Sequence, residues 1–94
     1  MSETTAFTID GEEGSTDRLS IPTGLLEMLR TGEESSAEIV GDLAMLTCAQ
    51  QIHAIAHHTE GEPDEELVAV EKRTMELFEE RFGASYEEVT GHAH

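Results

Sequence analysis

The sequence has few of the residues on which many protein classes depend. Cysteine occurs once, at Cys48, which excludes an internal disulfide. Tryptophan is absent and the aromatic residues are three Phe and one Tyr, so a hydrophobic core must come mainly from aliphatic side chains. No Gly-rich phosphate loop, cysteine pair or serine-hydrolase motif occurs in the 94 residues. The sequence therefore gives no motif for an enzyme, and we expect no catalysis.

Basic residues are also scarce. Five Lys and Arg stand against 21 Asp and Glu, which gives a formal net charge of −16. Such a surface repels itself in dilute buffer, whereas molar salt shortens the screening length to about 3 Å. The composition resembles that of proteins from organisms that keep molar salt in the cytoplasm, such as haloarchaea. An ordinary acidic protein of a mesophile is the alternative.

The lack of clustered Lys and Arg argues against a nucleic-acid partner and against an anionic membrane surface. No basic segment followed by an apolar stretch opens the chain, so no secretory signal is predicted. No segment has the roughly 18 apolar residues of a membrane-spanning helix. We therefore expect a cytoplasmic protein. Cys48 lies in an apolar run and is expected to be buried.

The N-terminal residues carry two short alternating stretches. Residues 5–10 and 17–21 alternate apolar and polar side chains, and residues 11–16 between them have the composition of a turn. The pattern predicts either a β-hairpin or an arm that pairs across a dimer, and a mobile tail is an equal alternative. We divide the chain into three parts on this basis: an N-terminal arm or β-hairpin over 1–20, a helical domain over 21–90 and a frayed tail over 91–94.

Capping and turn residues then predict a series of helices. Pro22 suits the first turn of a short helix that Gly32 closes. Ser35 and Glu38 form a capping box, which opens a longer helix that should run to about His58.

A second long helix is predicted to begin near Pro63 and to end at Gly83. Its apolar stripe is expected to consist of Leu67, Val70, Thr74, Leu77 or Phe78, and Phe82. Its charged residues are expected to face mostly outward: Glu71, Lys72, Glu76, Glu79 and Glu80. Ser85 and Glu88 form a second capping box, which opens a final short turn.

The first long helix has an unusual composition, since no Asp, Glu, Lys or Arg occurs from Leu43 to Thr59. In so acidic a chain that gap predicts burial, and one small chain can hardly cover a helix that is apolar on several faces. The fold class expected is mainly α, with a short helix, an antiparallel two-helix hairpin and a β-hairpin or arm in front. We expect these elements to assemble as a helical-bundle oligomer.

Two histidines of this helix form a candidate metal site. His53 and His57 are four residues apart, so they share a helix face and can hold one metal ion through two ring nitrogens. Glu60 follows three residues after His57 and adds an oxygen ligand if the helix continues. The cofactor expected for such a site is a divalent transition metal. The alternative is a polar patch at the end of a buried helix.

A further pattern covers residues 17–49. It is carried by Arg18-Leu19-Ser20-Ile21-Pro22, by Leu25-Leu26, and by Gly32 through Ile39. The order of short strand, short helix, turn and capped helix resembles that of ribbon-helix-helix repressors. The resemblance implies a strand paired across a dimer that points basic or polar side chains into the major groove. Here only Arg18 qualifies, and Asp17 stands beside it.

Three functional hypotheses follow. The first is a small, acidic, salt-adapted helical homo-oligomer that acts as a protein-interaction or regulatory module without catalysis, with itself or another protein as partner. The second is a metal-binding helical-bundle protein that uses His53 and His57 for redox or storage. The third is a transcriptional regulator of the ribbon-helix-helix type.

Overall fold

The structure is a computed structural model that describes residues 3–58, 61 and 64–91, without the side chain of His58. It is mostly helical, with a two-stranded sheet at the N-terminus. Described residues up to Gly41 form one compact unit and those from Asp42 onward form a second. The elements in chain order are β1 (Thr4–Asp10), β2 (Thr16–Pro22), α1 (Thr23–Leu29), α2 (Ser36–His58), α3 (Glu65–Phe82) and α4 (Tyr86–Thr90).

The predicted β-hairpin is confirmed. β1 and β2 pair antiparallel, and the register places Phe7 opposite Leu19 and Thr5 opposite Ile21. Because residues that face each other across a sheet point to the same side, the apolar side chains share one face. The loop turns at Gly14, whose φ of 94° is in the left-handed region that favours glycine.

The strand that pairs with β2 is the feature to compare with the ribbon-helix-helix resemblance. That resemblance implies a strand over residues 17–21 that pairs with the same strand of a second copy. In the structure this strand pairs along its length with β1 of its own chain. Arg18 is the one basic residue of the two strands.

Helix α1 packs directly on the hairpin. The Thr23 backbone N–H donates to the Glu3 carbonyl at 2.9 Å, and the Thr5 and Thr23 hydroxyls are 2.8 Å apart. Leu26 is buried and forms the centre of α1. The helix ends at Leu29 rather than at Gly32, because Arg30 already has extended backbone angles.

Hydrogen bonds to side chains fix the connection between α1 and α2. The Arg30 side chain donates to the Glu34 carbonyl at 3.0 Å, and the Thr31 hydroxyl donates to the Glu34 carboxylate at 2.9 Å. Hydrogen bonds from the Glu34 backbone N–H and from Thr31 lower the pKa of this exposed carboxyl. The connection is therefore a hydrogen-bonded turn.

Both predicted capping boxes are confirmed. The Glu38 backbone N–H donates to the Ser35 hydroxyl and the Ser35 N–H donates to the Glu38 carboxylate, each at 3.1 Å. Ser85 and Glu88 make the same pair of bonds at the start of α4. These bonds satisfy backbone donors that the first turn of a helix leaves open.

Helix α3 begins slightly later than predicted. Its N-cap is Asp64, whose carboxylate accepts the Leu67 N–H at 2.7 Å. Pro63, which was predicted to begin this helix, lies outside the described residues. The helix ends as predicted at Gly83, where φ is 71°.

The second unit is built from α2, α3 and α4. Phe78 of α3 is fully buried, with its ring centroid 4.4 Å from Phe82 and 5.5 Å from Tyr86. Ala49 and Ile52 are the buried residues of this part of α2. The expected apolar stripe of α3 is buried at Phe78, which lies inward in place of Leu77, and half-buried at Leu67, Thr74 and Phe82. Its remaining residue, Val70, is exposed.

Two side-chain contacts show that α3 runs back along α2. Arg81 Nε is 2.7 Å from Asp42 Oδ1, and His57 Nε2 is 3.8 Å from Glu71 Oε2. As α2 advances from residue 42 to 57, its partners on α3 go back from 81 to 71. This antiparallel arrangement is what the short connection predicted.

The sequence predicted that the charge-free part of α2 is buried and that one small chain can hardly cover it, and within the single chain this part is buried on one side only. Leu43 is 37% exposed and Ile55 is 51% exposed. Cys48, predicted to be buried, is exposed too. The reason is geometric: α3 covers one side of α2, so apolar residues on the other side remain in contact with solvent.

Helix α2 also corrects the expectation about membrane spans. Ser36–His57 is long and apolar enough to cross a membrane by length and composition alone. The segment carries just two charged residues, Glu38 and Asp42, and both lie near its N-terminal end. Core helices of soluble proteins pass the same test, so this is weak evidence for a membrane.

Candidate metal centre

One turn of α2 places two histidines beside α3. His53 and His57 lie four residues apart, so their side chains stand one above the other on the same face. The ring centroids are 4.3 Å apart, with the rings tilted by 41°. His53 is half-buried and His57 is more exposed. The predicted pairing of these two side chains is thus present in the structure.

The carboxylate beside them is Glu71 of α3, which was predicted to face outward. Glu71 is half-buried, and its Oε2 lies 3.8 Å from His57 Nε2. One ligand atom from each of His53, His57 and Glu71 lies within 4.8 Å of the other two. The sequence did contain a signal for this position. Glu71 follows Leu67 by four residues and precedes Phe78 by seven, which places it on the apolar stripe.

Glu60, the oxygen ligand predicted from sequence, lies outside the described residues. That prediction depended on the helix continuing past His57 for another turn. The carboxylate that the fold brings to the histidines comes from the other helix.

The donor set fits a first-row divalent metal ion. Two imidazole nitrogens and one carboxylate oxygen are typical zinc ligands, with bonds of about 2.0–2.2 Å. Ligands held tetrahedrally at that length lie about 3.4 Å apart. Small rotations of the three side chains would close the present spacing, and the exposure of His57 leaves room for them. Three protein ligands leave the fourth position open.

A cleft of about 370 Å³ adjoins the three side chains. Tyr86 of α4 forms one wall, with its ring centroid 5.6 Å from that of His53. Met75 adds an apolar side, while Glu79 and Glu87 add carboxylates. These acidic groups make the cleft attractive to a cation and unfavourable to an anion. A ligand in the open position would therefore be water or an uncharged or cationic group.

Comparison with known proteins places the whole chain in a family. Residues 1–94 match the description "Family of unknown function (DUF7545)". The chain belongs to this family. No curated protein and no solved structure matches the chain. The family description names no activity, so the functional argument depends on the geometry of the centre.

Other candidate ligands lie away from this centre or outside the described residues. Cys48 is exposed on α2, and it lies on the side that α3 does not cover. His92 and His94 at the C-terminus lie outside the described residues. Within the described part of the chain, the three converging groups are His53, His57 and Glu71.

Proposed function

We propose that this protein binds a divalent transition-metal ion through His53, His57 and Glu71. The observation that carries the proposal is the convergence of one ligand atom from each side chain within 4.8 Å. The two histidines are neighbours because of helix spacing alone. Glu71 comes from a different helix, so the three meet through the packing of α2 against α3.

The surroundings of the three side chains support a cation rather than an anion. The chain carries a net charge of −16, and further carboxylates line the adjoining cleft. A metal ion bound by His57 and Glu71 would link α2 to α3 at the point where these two side chains now lie 3.8 Å apart. Binding would therefore stabilise the fold as well as hold the ion.

The test is a zinc titration of the untagged protein in molar KCl, against a colorimetric chelator. All variants carry His92→Ala and His94→Ala, because these terminal histidines can bind metal adventitiously. We expect one ion per chain. His57→Ala and Glu71→Gln should each weaken binding by at least about tenfold, since each removes a ligand. The matched control is Glu76→Gln, an exposed carboxylate elsewhere on α3, which should leave the affinity unchanged.

Two results would contradict the proposal. One is binding that disappears when His92 and His94 are replaced, since the ion would then belong to the C-terminus. The other is equal affinity in Glu71→Gln, Glu76→Gln and the parent protein.

The other two hypotheses depend on different residues. The interaction-module hypothesis, a homo-oligomer without catalysis, is supported by the exposed apolar side of α2. The regulator hypothesis has less support, because Arg18 is the one basic side chain on the hairpin strands and β2 pairs with β1.

A further inference from the structure

The side of α2 that faces away from α3 forms an exposed surface without charge. We call it the uncharged α2 surface. It extends for about 18 Å along the helix, at 1.5 Å per residue from residue 43 to 55. Its exposed residues are Leu43, Ala44, Thr47, Cys48, Gln51 and Ile55. Large apolar side chains stand at its two ends and smaller ones between them.

This surface contrasts with the charge of the chain as a whole. Two copies that carry −16 each bring carboxylates together wherever their acidic surfaces meet. Molar salt screens long-range repulsion, with a screening length of about 3 Å, but direct contact still strips water from the carboxylates. Contact between two uncharged α2 surfaces avoids this loss of carboxylate hydration, and molar salt screens the remaining repulsion. The partner that suits this surface is therefore itself apolar and uncharged.

We propose that the uncharged α2 surface binds the same surface of a second copy, with the two α2 helices antiparallel around a two-fold axis near Cys48. Such a contact is isologous, so every contact between two different residues occurs twice, once on each side of the axis. The midpoint of residues 43–55 falls at position 49, and Cys48 is the residue of the uncharged α2 surface next to it. Leu43 of each copy then lies opposite Ile55 of the other. The proposal specifies the surface required by the interaction-module hypothesis and is independent of the metal centre.

Two other occupants fit the surface less well. A basic protein would be drawn to the acidic surfaces instead of to this one. An anionic membrane would be repelled by the net charge of −16. A second copy brings no charged residue to the contact, because its own α2 surface has the same uncharged residues.

The experiment combines light scattering and cross-linking in molar KCl with a chelator present, so that metal plays no part. Ala44→Glu places a carboxylate on the uncharged α2 surface. Ala69→Glu makes the same change at an exposed position of α3 among charged residues. We expect the parent protein and Ala69→Glu to be dimers, and Ala44→Glu to dissociate at least about tenfold more readily. A short bismaleimide should link Cys48 to Cys48 in the parent dimer.

Each outcome decides the matter. A monomeric parent protein overturns both the homo-oligomer and the docking surface. A dimer that Ala44→Glu does not weaken, or that does not cross-link at Cys48, overturns the surface and leaves the homo-oligomer. If Ala44→Glu does not fold, cross-linking of the parent protein at Cys48 still tests the proposed surface. Binding of a monomer to vesicles of uncharged lipid, lost in Ala44→Glu, assigns the surface to a membrane instead.

Discussion

The two long helices of this protein lie side by side, yet they distribute their side chains differently. Helix α3 has the usual division, with Phe78 buried and most of its charged residues in solvent. Helix α2 has apolar residues on both sides, and some of the largest, such as Ile55, are exposed. In a chain with a net charge of −16, a solvent-facing surface would be expected to carry carboxylates. Their absence is the observation from which we propose contact with a second copy.

The same comparison applies to the candidate metal centre, to which both helices contribute side chains. Helix α2 contributes His53 and His57 to its covered side. Helix α3 contributes Glu71, a half-buried carboxylate among mostly exposed charged residues. The charged residue that breaks the outward pattern of α3 is thus the one that meets the histidines.

The largest expected effect concerns the buried stripe of α3. Phe78→Ala should lower the free energy of unfolding by about 3–5 kcal/mol, because it leaves a cavity where a fully buried ring now contacts Phe82 and Tyr86. Leu77→Ala, at the neighbouring exposed position, should cost about 1 kcal/mol or less. Denaturant unfolding in molar KCl measures both. Equal losses of unfolding free energy at the two positions would show that α3 does not have one buried and one exposed side.

Metal binding should produce the next largest effect. Zinc at one hundred times its dissociation constant should add about 2.7 kcal/mol to the free energy of unfolding, provided the unfolded chain does not bind it. Glu71→Gln should lose most of this gain. Acid should abolish it, because imidazole must be deprotonated to bind a metal ion. Thermal unfolding with and without zinc at two pH values provides the measurement. A zinc effect of equal size in Glu71→Gln would place the ion elsewhere.

Replacing the N-cap residues compares how the first turns of the two helices are stabilised. Ser35→Ala removes the cap of α2 and Asp64→Ala removes that of α3, where the carboxylate accepts the Leu67 N–H. Each should cost about 1 kcal/mol of unfolding free energy, since each leaves one backbone donor without its side-chain acceptor. A negligible cost at Ser35 alone would mean that the α2 N-terminus is stabilised by other contacts.

The smallest effect is expected from the ion pair between the helices. Asp42 and Arg81 are 2.7 Å apart but more than a third exposed, so a double-mutant cycle should give about 1 kcal/mol or less. The coupling should fall as KCl rises from 0.1 to 1 M, as the screening length shortens from about 10 to 3 Å. The Arg73–Glu76 pair within α3 is a control at 3.5 Å. A coupling that grows with salt would contradict this account.

The local features of the fold could be predicted because their signals lie within a few residues. A capping box needs a serine and a glutamate three residues apart, and both boxes were found this way. The stop at Gly83 and the β-hairpin have similarly local causes. In each case the neighbouring residues determine the hydrogen bonds.

The burial of α2 and the third group of the metal centre depended on the tertiary structure. The missing charge from Leu43 onward indicates contact with an apolar surface, but it does not say whether that surface belongs to the same chain. Glu71 lay on the apolar stripe, but it was assigned to solvent because glutamate is usually exposed. Glu60 was favoured instead by its closeness in sequence to His57. The packing of α3 against α2 brings Glu71 to the histidines, and the sequence of either helix alone does not contain that packing.

The central claim, a metal centre between α2 and α3, can be tested most directly by anomalous X-ray diffraction from crystals of the zinc-loaded protein. The account predicts one strong zinc peak per chain, bonded at about 2.0–2.2 Å to a ring nitrogen of His53, a ring nitrogen of His57 and a carboxylate oxygen of Glu71. A zinc peak at the C-terminal histidines with none between the two helices would contradict it.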